Sequence, residues 1–398
     1  MKKIGKQHAR KCRSAWLSLY MLLLALTLAS CATSSVATIT KKPVVTPTST
    51  VPTVAITSTP THPFPNAAQL DAYLSGLEHS GVLSGSVLVA RNGMLFEKGY
   101  DLADKDANVP NTPQTRFRIG SNTKQFTAMA ILILQDRGKL HVQDRICLYV
   151  PNCPQDWQPI TIENLLTHTS GIPDYINAPD FLTFWLEPAT PEELLARFKD
   201  LPLEFRPGSR FKYSNSGYTL LGYIIERVSG ESYATFLQQN IFTPLKMYNT
   251  GYDTTYPALS QHATGYYQGY IKPAPYDPSV LYAAGALYST VEDLNIWDQA
   301  LLAHKLVSRQ ALDAMFTPHA ACPQHGPGGC LQHQDMGYGY GWFIAAEPQG
   351  KLIYHVGHID GFFTYNGFYP QRNLVVVVLS NLETTNVLKI GLTLASML

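Results

Sequence analysis

Apolar residues recur at three- and four-residue intervals at Leu70, Tyr73, Leu74 and Leu77, so residues 66–80 read as an amphipathic helix. Two apolar runs follow, 85–90 and 94–100, joined by Asn92-Gly93, a pair suited to the left-handed turn that closes a hairpin. Near the other end, 365–369 and 374–379 flank Pro370-Gln371-Arg372 and read as a second antiparallel pair. The run from Leu374 to Leu379 is apolar on both faces, which places it in the buried middle of a sheet. Residues 125–134 are apolar nearly all round, the pattern of a buried helix. Between these segments, frequent Pro and Gly break the chain into helices and loops. Strands at both ends with helices between them predict an α+β fold, one sheet built from both termini with a helical insertion. No internal repeat interrupts this reading.

The first 65 residues follow different rules. Six basic residues and no acidic one stand between Lys2 and Arg13, ahead of an apolar run at positions 15–29. That run is shorter than the roughly 20 residues a membrane helix needs, and its layout is that of a secretory signal peptide. It ends in Leu28-Ala29-Ser30-Cys31, which resembles a bacterial lipobox. The resemblance implies cleavage before Cys31 and a diacylglyceryl group on its thiol, with residues 1–30 removed. Residues 31–65 are dominated by Thr, Pro, Val, Ser and Ala and cannot bury a core. At ~3.1 Å per residue in an extended conformation, they make a tether able to hold a domain up to ~100 Å from its anchor. The folded domain is expected over 66–398. It would sit outside a membrane, held by lipid: the outer face of the cell membrane, or the outer membrane where there are two.

Charge then excludes one class of partner. The chain has 30 Lys+Arg and 29 Asp+Glu, but without the signal segment 24 basic residues face 29 acidic ones. A basic nucleic-acid surface is not expected. Four cysteines remain after Cys12 and Cys31, in two local pairs, Cys147/Cys153 and Cys322/Cys330. In an exported chain such pairs read as disulfides. Cys322-Pro-Gln-His325 with Cys330-Leu-Gln-His333 also matches zinc-ligand spacing. A segment rich in Gly and Pro, in an oxidising compartment, favours the disulfide.

The candidate chemistry begins at Ser121-Asn122-Thr123-Lys124, at the head of the apolar helix. Serine and a lysine three residues on share a helix face. A lysine in a dry site can lose its proton and activate the hydroxyl. A second match, Ser209-Arg210-Phe211-Lys212, follows the turn Pro207-Gly208 and has no helix to align it. Tyr213-Ser214-Asn215 could relay protons and hold an amide, and Tyr175-Ile176-Asn177 is a decoy of the same form. His355-Val356-Gly357-His358 precedes the last strands, its glycine allowing close backbone approach. Gly-x-Ser-x-Gly, Ser-Asp-Asn and His-Glu-x-x-His are absent, which argues against an α/β-hydrolase, a class A β-lactamase and a zincin.

In this order and setting, residues 67–395 resemble the serine β-lactamase and penicillin-binding-protein superfamily. The branch resembled holds class C β-lactamases, DD-carboxypeptidases, D-aminopeptidases and related esterases. Leu165-Leu166-Thr167-His168-Thr169-Ser170-Gly171, Arg206-Pro207-Gly208, Tyr213-Ser214-Asn215-Ser216-Gly217-Tyr218 and Gly337-Tyr338-Gly339-Tyr340-Gly341-Trp342 carry the resemblance together with the three motifs. It implies an antiparallel sheet flanked by helices plus a mainly helical subdomain, with the site between them. By the same resemblance Ser121 is the acylated nucleophile, Lys124 its base and Tyr213 the acid/base tyrosine. Asn215 orients Lys124 and the substrate amide, and His355 and Gly357 edge the site. The backbone N–H groups of Ser121 and His358 form the oxyanion hole, while His168 shapes its loop. No metal or organic cofactor is implied.

Two departures bear on substrate. Histidine at 355 looks more like DD-carboxypeptidases and D-aminopeptidases than class C β-lactamases, which carry lysine there. Val356 replaces a threonine whose hydroxyl would hold a substrate carboxylate. The expectation is a lipid-anchored acyl-enzyme hydrolase of D-amino-acid peptides of the cell wall, DD-carboxypeptidase-like. A class C-type β-lactamase is the alternative, followed by a carboxylic esterase or a slowly deacylating penicillin-binding sensor. The sequence assigns no oligomeric state.

Overall fold

The strands expected at the two ends of the chain meet in one sheet. The computed structural model describes residues 64–254, 261–322, 330 and 336–398. The signal segment, the lipobox Cys31, the tether up to residue 63, and His325 and His333 lie outside the described residues. Helix α1 (Ala67–His79) leads into β1 (Gly85–Arg91) and β2 (Met94–Tyr100). Three longer helices follow among many short ones: α2 (Thr123–Asp136), α3 (Asn215–Ser229) and α4 (Val291–Leu302). Then come β3 (Ala320–Ala321), β4 (Met336–Tyr338), β5 (Phe343–Glu347), β6 (Gly350–Ile359), β7 (Phe362–Tyr369), β8 (Leu374–Ser380) and the closing helix α5 (Val387–Ser396).

These eight strands form an antiparallel sheet in the order β2-β1-β8-β7-β6-β5-β4-β3. The first strand pairs with the last, Gly85 opposite Ser380 and Arg91 opposite Leu374. The uninterrupted apolar run of β8 follows from this position. Val376 and Val378 enter a core with Leu70 and Leu74 of α1 and Ile390 and Leu394 of α5. Val375, Val377 and Leu379 enter the opposite core, with Phe126 of α2 and Trp297 of α4. Alternate side chains thus serve two layers of helices, and a polar residue in either set would be buried without a partner. The fold is α+β, as the pattern predicts.

The segment carrying Ser121 is pinned from both sides. Phe117–Arg118 pairs with Leu287–Ser289, which brings the short helix Tyr282–Gly285 beside it. Both expected disulfides are formed, Cys147–Cys153 and Cys322–Cys330. Among the described residues no helix is long and apolar enough to cross a membrane.

Candidate active site

Ser121 lies in a single 3-10 turn, Gly120–Asn122, that runs directly into α2. Every residue of α2 from Thr123 to Leu134 is buried, so its first turn is held by the core on all sides. Lys124 is fully buried, and its Nζ has three neighbours: Ser121 Oγ at 3.0 Å, Asn215 Oδ1 at 2.9 Å and the Ala284 carbonyl at 2.8 Å. Burial pushes the Lys124 ammonium down to about 7, against the opposing pull of Asp174. A neutral amine has two N–H donors and one lone pair. Asn215 Oδ1 and Ala284 O are acceptors and take the two hydrogens, which leaves the lone pair for the Ser121 hydroxyl. The geometry therefore suits an amine that removes the proton of Ser121.

Asn215 is the first residue of α3, and Ser214 caps that helix by accepting from the Gly217 N–H. The Asn215 amide is fixed from behind, because Nδ2 donates to Asp174 Oδ2 at 3.0 Å and the Asn215 backbone N–H donates to the same oxygen at 3.0 Å. Tyr213 is bracketed by His168. The Lys212 N–H donates to the His168 carbonyl at 2.9 Å, and the Ser214 N–H donates to His168 Nδ1 at 3.2 Å. The imidazole also lies against the Tyr213 ring, with centroids 4.2 Å apart. His168 does this from a left-handed backbone, φ 58°. Burial raises the Tyr213 phenol far above its ordinary value, against a hydrogen bond with Ser121 that lowers it. Tyr213 is thus held as a neutral phenol beside Ser121.

Strand β6 supplies the opposite wall. A Cβ on Gly120 would lie 3.0 Å from the His358 nitrogen, and one on Gly357 would lie 1.8 Å from the Ile119 carbonyl oxygen. Only glycine at both positions lets the strand press against the serine turn. This contact sets the backbone of His358 beside that of Ser121, where paired N–H groups could receive an oxyanion. The His358 side chain is exposed and contacts Glu383, Nε2 to Oε1 at 2.7 Å. Glu383 Oε2 also accepts from the Gly361 N–H, so one carboxylate ties down the turn after β6.

His355 differs from the picture of a residue edging the site. It is fully buried, contacting Val356 O through Nδ1 (2.6 Å) and the Tyr338 hydroxyl through Nε2 (3.1 Å). Burial, reinforced by Lys124, drives its pKa down to about 3. It is therefore a neutral imidazole near Tyr213, ring centroids 6.3 Å apart, and brings no charge to a substrate.

Ser121, Tyr213, Asn215, Val356 and His358 line one cleft of about 470 Å³. Its other walls are largely apolar: Ile176, Phe181, Leu182, Trp185, Leu281 and Ile359, with Asp174, Lys212 and Asp360 as further charged members. A cavity of about 600 Å³ around Arg118, His262 and Phe362 holds none of the serine machinery. Ser209 and Lys212, the second Ser-x-x-Lys match, form no such pair: Lys212 bonds Glu204 at 2.6 Å.

Three contributors escape the sequence reading. Asp174 stands between the motif ending at Gly171 and the decoy Tyr175-Ile176-Asn177, and an acidic residue in that junction was the available signal. Asn122 is buried inside the serine motif. In the orientation that satisfies its amide, Oδ1 accepts from the Gly357 N–H at 3.2 Å, which ties the serine turn to β6. The Ala284 carbonyl belongs to the backbone and has no residue signature.

The family model for β-lactamase matches residues 70–395. The chain belongs to the β-lactamase family. It is a serine hydrolase of that family, within the wider group that includes penicillin-binding proteins. PbpX of Bacillus subtilis (strain 168), to which penicillin binding is assigned provisionally, is 34% identical over 304 residues, 75% of this chain and 71% of that protein. Among solved structures, the octameric penicillin-binding protein homologue from Pyrococcus abyssi has a TM-score of 0.73 at 31% identity, covering 83% of this chain and 77% of that one. A D-stereospecific amidohydrolase from a Streptomyces species has a TM-score of 0.68 at 26% identity, covering 82% of this chain and 97% of that one.

Proposed function

We propose that this hydrolase cleaves amide bonds formed by the carboxyl group of D-amino acids, in peptides of the cell wall, through an acyl-enzyme on Ser121. Lys124 takes the serine proton, the N–H groups of Ser121 and His358 receive the oxyanion, and Tyr213 passes a proton to the leaving amine. Water then releases the acyl group by the reverse sequence. The observation that carries this reading is the buried Lys124, with two acceptors for its hydrogens and Ser121 left for its lone pair. Similarity to a D-stereospecific amidohydrolase favours the D-configuration. The lipobox and the Pro-rich tether support an enzyme anchored by lipid on Cys31 and working outside the membrane.

β-Lactam hydrolysis is the second reading, favoured by the family and by PbpX. One experiment separates the two. The purified full chain is incubated with D- and L-amino-acid p-nitroanilides and, separately, with excess benzylpenicillin, and the intact mass is followed. Release of p-nitroaniline from the D-series with only slow penicillin adduct formation supports the proposal. Rapid consumption of penicillin with no D-amidase activity moves the assignment to β-lactamase. An adduct on a peptide lacking Ser121 removes the nucleophile.

The pH dependence has a defined sign. Lys124 acts when unprotonated, so the acylation rate should rise with pH through about 7 and level off above it. A rate that falls over that interval would contradict the role of the amine. Val356 gives a further expectation, since it lines the cleft where a hydroxyl could hold a carboxylate. Val356→Thr should raise kcat/KM about fivefold for substrates ending in a free carboxylate, the effect of one hydrogen bond of about 1 kcal/mol. Their amidated counterparts should be unchanged, and an equal change in both would exclude this contact.

A further inference from the structure

Five ionisable side chains face Lys124. The rings of Tyr213 and Tyr218 lie 4.8 and 5.5 Å from its Nζ, the Lys124 charge acts on His168 and His355, and Asp174 acts on Lys124. Burial keeps both imidazoles neutral and both phenols protonated across the neutral range. Among the described residues facing the amine, this leaves Asp174 as the group able to bring negative charge; burial raises its carboxyl above the ordinary value, and the N–H groups of Asn215 and the Lys124 ammonium pull it back down.

Asp174 is buried immediately before the short turn Tyr175–Asn177. Its Oδ2 accepts both the backbone N–H and the side-chain Nδ2 of Asn215, each at 3.0 Å. An amide can present its oxygen or its nitrogen to a neighbour, and the two orientations have opposite effects on Lys124. With Nδ2 held by Asp174, Oδ1 has to face Lys124, where it lies 2.9 Å from Nζ. If the amide turned over, its hydrogens would point at the amine. Lys124 would then lose one of its two acceptors and be free to direct an N–H toward Ser121.

We infer that Asp174 is a positioning residue of this site: it locks the Asn215 amide with its oxygen toward Lys124 and, through its charge, sets the pH at which Lys124 can act. The inference rests on the reading of Lys124 as the base. A purely structural alternative exists, because Asp174 also satisfies the first backbone N–H of α3. Asp174→Asn separates the two, since an asparagine oxygen can still accept that N–H while the charge is gone.

The test uses the full chain and a fluorophosphonate probe, which reports on serine activation whatever the natural substrate. Ser121 Oγ bonds to phosphorus, fluoride leaves, and the serine proton passes to Lys124. Labelling rates are measured from pH 5 to 10, with the adduct mapped. In the wild-type chain the rate should rise through about pH 7. Removing a nearby negative charge makes the ammonium still less favourable, so the rising limb of Asp174→Asn should move down by about one pH unit. Its plateau should hold, because the asparagine oxygen can still accept both N–H groups of Asn215 that Asp174 Oδ2 accepts. Asp174→Glu, which keeps the charge but displaces the contact, should lower the plateau and leave the limb in place. The inference is overturned if Asp174→Asn lowers thermal stability while its limb stays where the wild type has it. Should that variant not fold, a shifted limb with an intact plateau in Asp174→Glu overturns it equally. A wild-type chain that is not labelled at Ser121 sinks the proposed function first, and this inference with it.

Discussion

Lys124→Ala should slow acylation of Ser121 by about 10²–10⁴-fold, the range measured when a positioned general base is lost. Binding should be much less affected, because Lys124 is fully buried and absent from the cleft lining. The loss should therefore fall on kcat, and the rise in rate through about pH 7 should vanish with the group that titrates there. Alanine leaves the buried Ala284 O without its donor, which costs about 1–3 kcal/mol, and the half-buried Asn215 Oδ1 without one at a smaller cost. Lys124→Met is a useful companion, since it fills the space and also removes the base. Both variants should lose activity to the same extent although their stabilities differ. A methionine variant that keeps more than a tenth of wild-type activity would exclude Lys124 as base.

The same residue ties stability to pH. A lysine displaced from 10.5 to about 7 has been moved by the equivalent of roughly 4–5 kcal/mol. In the unfolded chain Lys124 holds its proton up to its ordinary value, whereas in the folded chain it gives the proton up near 7. Between those values the unfolded state binds more protons, so this group makes the fold more stable as pH rises from about 7 toward 10. The fold bears the cost of an uncharged lysine near neutral pH and so keeps a neutral amine beside Ser121. Lys124→Met should remove that slope. Core packing and the satisfied acceptors hold the amine in place despite this cost, and both depend on distant parts of the chain.

That distance decides what could be read from sequence. The hairpin at Asn92-Gly93, the helix after Lys124 and the central strand 374–379 carry local signals, turn chemistry and apolar periodicity, and each forms where those signals place it. Ser121 and Lys124 lie within one helical turn, so spacing alone brings them together. The acceptors of Lys124 lie 91 and 160 residues away, and nothing in the local pattern links them. Asn215 was visible only as part of a tripeptide also matched by the decoy 175–177, and Asp174, which orients it, stands directly before that decoy. His355 shows the reverse error. The family resemblance of its motif put His355 at the edge of the site, but strand β6 buries its ring against Tyr338 and Phe343. Which face of a strand meets the cleft depends on what packs against it, and a tetrapeptide does not report that.

Gly357→Ala is the second variant expected to have a large effect, and here the cause is geometric. The added methyl would lie 1.8 Å from the Ile119 carbonyl oxygen and 2.5 Å from Thr364 Oγ1. The first of these is backbone held by the sheet contacts before Ser121, so it cannot swing aside as a long side chain would. Strand β6 must then draw back from the serine turn by more than 1 Å, which separates the His358 N–H from that of Ser121. Loss of one oxyanion donor lowers turnover by about 10²–10³-fold. The strain of overpacking a buried contact adds about 1–3 kcal/mol of destabilisation. Gly76→Ala provides the contrast, because nothing lies within 4 Å of its Cβ position inside α1. Alanine there should leave activity unchanged and stabilise the helix by roughly 0.5–1 kcal/mol. Thermal unfolding and fluorophosphonate labelling of both variants separate the two consequences. If Gly357→Ala melts lower yet labels Ser121 and turns over substrate at wild-type rates, the pressing of β6 against the serine turn serves the fold and not the chemistry.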